Sequence, residues 1–148
     1  MSVKIPTDQI IDKYWETVPQ SWHRTRAVIR AAAAEKFHLT VEQFQVLRRI
    51  RKGSASVSAL AEASDTSRGA VSKAVDALVN KGLVCRNQDP NDRRNIPLAL
   101  TAEGERILNA IYNEAETWLS VRFERLTGSE RVVLLDGLGL LHKAFLED

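Results

Sequence analysis

The sequence predicts a mainly α chain carrying one small β-hairpin, an α+β class, on three observations. Apolar residues recur at helical spacing through most of its 148 residues. Residues suited to capping helices, Thr40, Ser56, Ser67, Thr101 and Thr127, stand at the heads of those stretches. A polar, proline-bearing segment over 87–95 separates two short apolar runs, Leu83-Val84-Cys85 and 96–100, as a hairpin tip separates its strands.

Residues 8–38 read as the first helix, with Ile10, Ile11, Tyr14, Val18, Trp22, Ile29 and Phe37 as its apolar positions. Pro19 lacks a backbone donor and crowds the preceding turn, so a kink or break is expected there. The alanine run over 31–34 has strong helix propensity and marks a helix packed closely against a partner. Thr40 and Gln43 fit a capping box opening the second helix, which carries Phe44, Leu47 and Ile50 and stops at Gly53. Ser56 caps a short third helix with Val57, Leu60 and Ala61, and Ser64-Asp65-Thr66 is a turn. Ser67 caps a fourth helix running to Lys81, with Gly82 as its left-handed stop. After the hairpin, Thr101 caps a long helix carrying Ile107, Leu108, Ile111, Trp118, Leu119 and Phe123. Thr127 and Glu130 form a second capping box before a last helix with Val133, Leu134, Leu138, Leu141 and Phe145.

Composition excludes several classes of function. The 21 basic and 19 acidic residues leave a net charge of only +2, so a nucleic-acid reading must rest on where the basic residues lie. The lone Cys85 excludes an internal disulfide and a multi-cysteine zinc site, and His23, His38 and His142 show no metal spacing. No apolar run approaches the roughly 20 residues of a membrane span, and the N-terminus lacks a signal peptide's apolar core, so a cytoplasmic protein is expected. Nucleophile motifs, glycine-rich phosphate loops and cofactor fingerprints are absent from the sequence, so no enzyme and no cofactor are expected.

A short helix pair followed at once by a hairpin is the layout of a winged helix-turn-helix, whose second helix enters the DNA major groove. The fourth helix fits that role. Val71, Ala74, Val75 and Leu78 share one face, while Gly69, Ser72, Lys73, Asp76 and Asn80 lie opposite and Arg68 stands at the leading boundary. Ser67, Arg68, Gly69, Ser72 and Lys73 are therefore candidate DNA contacts: small residues admit the backbone, and the basic ones reach guanine edges or phosphates. Asp76 fits less well and should sit back from the phosphates. On the hairpin tip, Arg94 can enter a narrow minor groove, Asp92 can brace its guanidinium, and Arg93 can support it on the backbone. Taken alone, each element reads first as a solvated, charged surface; the two together form an electrostatic footprint.

With these residues in place, the stretch from Leu39 to about Leu108 resembles the MarR family of regulators. The family's wing pattern is Asp-x-Arg, five residues, Leu-Thr, two residues, Gly; here Asp92, Arg94, Leu100, Thr101 and Gly104 fill it. Leu39-Thr40, Gln43-Phe44, Val46-Leu47, Leu60-Ala61, Val71-Ser72-Lys73 and Lys81-Gly82-Leu83-Val84 resemble the rest of the family's core. The resemblance implies a homodimer: an N-terminal dimerisation helix over 1–38, a DNA-binding lobe over 39–104 and C-terminal dimerisation helices over 105–148, a single MarR-type domain overall. It implies a repressor on a palindromic operator, with half-sites about 34 Å apart. It also implies release by a small effector, often an aromatic or phenolic acid, bound between the dimer helices and the lobe.

Candidates for holding such an effector are Trp15, Trp22, His23, Arg26, Phe44 and Tyr112. Aromatics at helical spacing are more commonly core or dimer interface, and that is the stronger reading of these residues on the sequence. Cys85 reads as a structural cysteine, which argues against thiol sensing. Three functions stay open on the sequence: a ligand-responsive repressor, a ligand-independent DNA binder of the same fold, and a winged-helix dimer used for protein–protein contact.

Overall fold

The structure is a computed structural model that describes residues 5–87 and 97–147. Its helices are α1 (Thr7–Ala31), α2 (Val41–Arg51), α3 (Val57–Ser64), α4 (Arg68–Asn80), α5 (Ala102–Phe123) and α6 (Gly128–Leu146), with strands β1 (Val84–Arg86) and β2 (Leu98–Leu100) between α4 and α5. The five expected cap residues all serve: the hydroxyls of Thr40, Ser56, Ser67, Thr101 and Thr127 each accept from a backbone N–H in the first turn. Both capping boxes close.

Three expectations need correction. Helix α1 runs unbroken through Pro19. That proline lies on an exposed stretch, where water can serve the carbonyl it orphans. The helix does not stay regular to residue 38: Ala32–Lys36 widens into a π-turn, and His38 ends it in the left-handed region at φ 53°. Leu39 N–H then reaches back to the Ala33 carbonyl at 3.0 Å, and Ala32 and Ala33 bury in the chain's own core. The strands are also displaced from their apolar runs. β1 begins one residue later than Leu83, because the Leu83 N–H is taken by the Leu78 carbonyl at 2.9 Å, which closes α4, and so cannot complete a pair with Thr101 opposite. β2 covers Leu98–Leu100 only; Pro97 precedes it and Ile96 lies outside the described residues.

The strands pair antiparallel, with Val84 opposite Leu100, Cys85 opposite Ala99 and Arg86 opposite Leu98. Ala55, just before α3, adds a further rung by accepting from Leu98 N–H at 2.8 Å. One core joins α2, α3, α4, the hairpin and α5; Leu47, Leu60, Val71, Val75, Leu78, Val84, Leu108 and Ile111 are its most buried side chains. Each is worth about 1.5–3 kcal/mol of burial. The α2, α3 and α4 packing thereby fixes which face of α4 turns outward.

Helix α4 ends as the sequence expects. Gly82 is left-handed at φ 72°, Gly82 N–H bonds to Val79 and Leu83 N–H to Leu78, which makes a Schellman motif. The arms behave differently. Neither α1 nor α6 contains a buried residue. Ile10, Ile11, Trp22, Phe123, Val133, Leu138 and Phe145, all expected as apolar positions, are at least 41% exposed in the single chain, because nothing within it covers those faces. Among the described residues no helix is long and apolar enough to cross a membrane, and no group of His, Cys, Asp or Glu could hold a metal ion.

Candidate nucleic-acid interface and effector cleft

The division of α4 into two faces holds in three dimensions. Val71, Ala74, Val75 and Leu78 are buried, while Arg68, Gly69, Lys73, Asp76 and Asn80 are exposed and Ser72 is half-buried. Ser67 caps the helix, its hydroxyl accepting from Ala70 N–H at 3.2 Å. No atom lies within 4 Å of where a Cβ would sit at Gly69, so the leading turn stands open to a ligand backbone. The Arg68 guanidinium donates to the Ser58 hydroxyl of α3, which ties the leading end of α4 to its neighbour. Together these place a cation, a helix N-terminus and small side chains on one open surface, the chemistry that meets phosphates and base edges.

Asp76 is answered by a residue that the sequence reading passed over. Arg86 on β1 pairs with its carboxylate, so the acidic group on the outward face is offset by charge. The available signal was the ten-residue separation across the Gly82 turn, which brings the end of β1 back along α4. Lys81 is a second such residue. Its ammonium donates to the His38 carbonyl at 2.8 Å and to Gln43 Oε1 at 3.3 Å, fastening the trailing end of α4 to the π-turn and to α2. The hairpin stems are joined by Asn87 N–H to the Pro97 carbonyl at 2.9 Å. Asp92, Arg93 and Arg94 lie outside the described residues.

The wing pattern also acquires a physical reason. Thr101 Oγ1 donates to the Gly82 carbonyl at 2.6 Å and accepts from Gly104 N–H at 3.0 Å. A Cβ at residue 104 would sit 2.1 Å from the Leu83 carbonyl oxygen. The Leu-Thr-x-x-Gly element is therefore the seam along which α5 closes onto the base of the hairpin.

Of the six effector candidates, four converge. Trp22 and Arg26 of α1, Phe44 of α2 and Tyr112 of α5 line one narrow cleft of about 50 Å³. Phe44 and Tyr112 lie 6.4 Å apart between ring centroids, tilted by 50°. The Arg26 guanidinium lies 5.8 Å from the Trp22 ring. Trp15 is elsewhere, edge-on to Tyr14 in the apolar groove between α1 and α6, and His23 is exposed and does not line the cleft. The sequence reading missed Arg48, which lines the cleft with its guanidinium 5.8 Å from the Phe44 ring. Its signal was legible: an aromatic followed four residues later by arginine occurs as Trp22 with Arg26, Phe44 with Arg48 and Trp118 with Arg122.

Comparison with known proteins agrees with this architecture. The MarR family model matches residues 39–96. The transcriptional regulator HosA of Escherichia coli O111:H- is 31% identical over 121 residues, covering 78% of this chain and 90% of that protein. Among solved structures, the multiple antibiotic-resistance repressor (MarR) of Listeria monocytogenes superposes with a TM-score of 0.82 at 21% identity, over 97% of this chain and all (100%) of that one. A mutant of S. aureus MepR bound to an oligodeoxyribonucleotide superposes at 0.72 and 19% identity, over 88% of this chain and 96% of that one. At those identities the structures speak to the fold alone. The open face of α4, the hairpin behind it, the family match and the HosA relative together establish that this chain belongs to the MarR family of DNA-binding winged helix-turn-helix transcriptional regulators.

Proposed function

We propose that the protein is a homodimeric, sequence-specific repressor that a small aromatic or phenolic acid releases from a palindromic operator. The observation that carries the DNA reading is the outward face of α4: open at Gly69, cationic at Arg68 and Lys73, and set on a fully buried inner face. In this reading Ser67, Arg68, Gly69, Ser72 and Lys73 meet the major groove. Arg94, braced by Asp92 and supported by Arg93, meets the minor groove. The MepR mutant of the same fold, solved with an oligodeoxyribonucleotide, supports it.

The homodimer is supported by the uncovered arms. Ile10, Ile11 and Trp15 on α1 and Leu140 and Phe145 on α6 line an apolar groove of about 670 Å³, which the arms of a second copy would fill. Residues 1–38 and 105–148 are thus proposed as the dimerising parts and 39–104 as the DNA-binding lobe. Effector release follows from the linkage of α2. The helix carries Phe44 and Arg48 at the cleft, and Gln43, one residue before Phe44, accepts from Lys81 at the trailing end of α4. A ligand that moves α2 therefore moves the end of the recognition helix.

The test is fluorescence anisotropy of the protein on DNA from upstream of its own gene, against a scrambled duplex, over a range of salt. A dissociation constant of about 10⁻⁸–10⁻¹¹ M that weakens steeply with salt, and weakens again on addition of an aromatic acid, is expected. Equal, weak binding to both duplexes and to a selected random pool would refute sequence-specific DNA recognition. Tight binding that no acid alters would leave a ligand-independent binder.

A further inference from the structure

We infer that Ser58 of α3 is a positioning residue for sequence recognition, holding the Arg68 guanidinium so that its remaining donors meet a guanine. The inference rests on the proposed reading of α4 as the helix that meets the major groove. Arg68 is the first residue of α4, and its Nη2 donates to the Ser58 hydroxyl across the turn of the helix pair. Ser58 stands in the first turn of α3, just behind the Ser56 cap. A serine deeper in a helix can give its hydroxyl to the carbonyl four residues back, as Ser64 does to Leu60. At that spacing Ser58 has only Ser54, which lies ahead of the helix, so its hydroxyl is left for a partner outside α3. Ser58 is half-buried, and Leu60 and Ala61 seat the helix in the core, so the anchor is a rigid one.

The donors that remain say what Arg68 can read. A guanidinium presents its N–H groups in a planar fork, and Nη2 carries two of them. Ser58 takes one. Whichever it is, a two-donor edge of the fork stays complete, either Nε with Nη2 or Nη1 with Nη2. Such an edge matches the O6 and N7 acceptors of guanine in the major groove. Among the described residues no salt bridge takes Arg68, so no carboxylate competes for that edge. At the next position, Gly69, no atom lies within 4 Å of where a Cβ would sit, so a base edge can come close. An untethered, exposed arginine meets phosphate oxygens as readily as bases. Fixing its plane from α3 turns a mobile cation into a directed pair of donors, and the entropy of ordering the side chain is lost before DNA arrives.

The experiment starts from the duplex that the wild-type chain selects out of a random-sequence pool. Fluorescence anisotropy then measures affinity for that duplex and for each single base-pair change in it. Arg68→Ala should erase the preference at one G·C pair of each half-site, a loss of about tenfold in discrimination. Ser58→Ala should reduce the preference at the same pair by about three- to tenfold and leave other positions within about twofold. Replacing that guanine by 7-deazaguanine, which removes N7 alone, should weaken the wild type about fivefold and Arg68→Ala not at all. The double variant should match Arg68→Ala, since Ser58 acts through Arg68. Ser58→Ala should keep the wild-type salt dependence, because no phosphate contact is lost, and should melt no lower, because alanine is the better helix former. A marked fall in melting temperature, or a loss spread evenly over all positions, would make Ser58 a structural residue and overturn its positioning role. Undiminished discrimination in Ser58→Ala would overturn that role while leaving Arg68 as a DNA contact. An Arg68→Ala effect that is uniform across positions would put Arg68 on phosphate and remove the guanine contact. A pool that yields no preferred duplex would overturn the reading of α4 on which the inference rests.

Discussion

Adding one methyl group at Gly104 tests the account of how the hairpin is seated. The new Cβ would stand 2.1 Å from the Leu83 carbonyl oxygen, some 0.9 Å inside the 3.0 Å that real Cβ contacts keep. The obstacle is backbone, so no rotamer change relieves it: the head of α5 and the start of the hairpin must part. Parting strains Thr101 N–H to the Leu83 carbonyl, now 3.0 Å, a bond worth about 1 kcal/mol net. Overpacking a closed seam adds about 1–3 kcal/mol. The helix preference for alanine returns up to about 1 kcal/mol. Gly104→Ala should therefore destabilise the fold by about 1–3 kcal/mol, lowering the melting temperature by about 3–10 °C. Circular dichroism melts and urea titrations at one protein concentration would read it. Gly69→Ala is the matched control: it also lies in the first turn of a helix, but nothing lies within 4 Å of its Cβ, so folding stability should hold or rise. If Gly104→Ala proved as stable as the parent, the seam would not be the reason for glycine there.

Other perturbations separate the remaining parts. Arg94→Ala should weaken binding to every duplex and reduce the salt dependence while the protein elutes at an unchanged size; unaltered operator affinity would remove Arg94 from the interface. Arg86→Ala leaves Asp76 unpaired beside the phosphates, so DNA affinity should drop several-fold and recover in the Asp76→Ala, Arg86→Ala double variant; a double variant weaker than the single would contradict an offsetting role. At α6, Thr127 N–H donates to the Glu130 carboxylate and holds its pKa below the ordinary carboxylate value. A pKa lowered on folding gives stability that is present above the unfolded value and lost as pH falls through the folded one. The protection factors of amides in the first turn of α6, taken against intrinsic exchange at the same pH, should therefore fall on acidification below the usual carboxylate range, and Glu130→Gln should flatten that dependence; an identical acid response in both proteins would refute the assignment.

Local chemistry explains which parts of the fold were legible in the sequence. Caps and stops are decided by a few neighbouring atoms, so Thr40, Ser56, Ser67, Gly82, Thr101 and Thr127 announce themselves. The buried face of α4 was legible because period and burial coincide along one helix. What was not legible depends on residues far apart. The π-turn at Ala32–Lys36 arises where alanines pack into the core against α5, and nothing in an alanine run distinguishes it from regular helix. The late start of β1 follows from the Leu83 N–H, which the end of α4 claims through the Leu78 carbonyl. At the cleft, Trp22, Arg26, Phe44 and Tyr112 were recognisable by type, but only the packing of α1, α2 and α5 separates them from Trp15 and His23 and adds Arg48.

Helix α4 is fastened at its head through Arg68 to Ser58, along its length through Asp76 to Arg86, and at its tail through Lys81 to His38 and Gln43. Gly69, Ser72 and Lys73 take no part in those ties. On the proposed reading of α4 as the helix that meets the major groove, pose and alphabet are thereby carried by different residues. A lineage can rewrite the three unengaged positions and acquire a new recognition sequence without re-aiming the helix. With the arms as the proposed dimer interface, it can also re-space the proposed half-sites there without touching the letters read. A change at Arg68, by contrast, alters both at once, so it is the position where drift in sequence preference would be slowest.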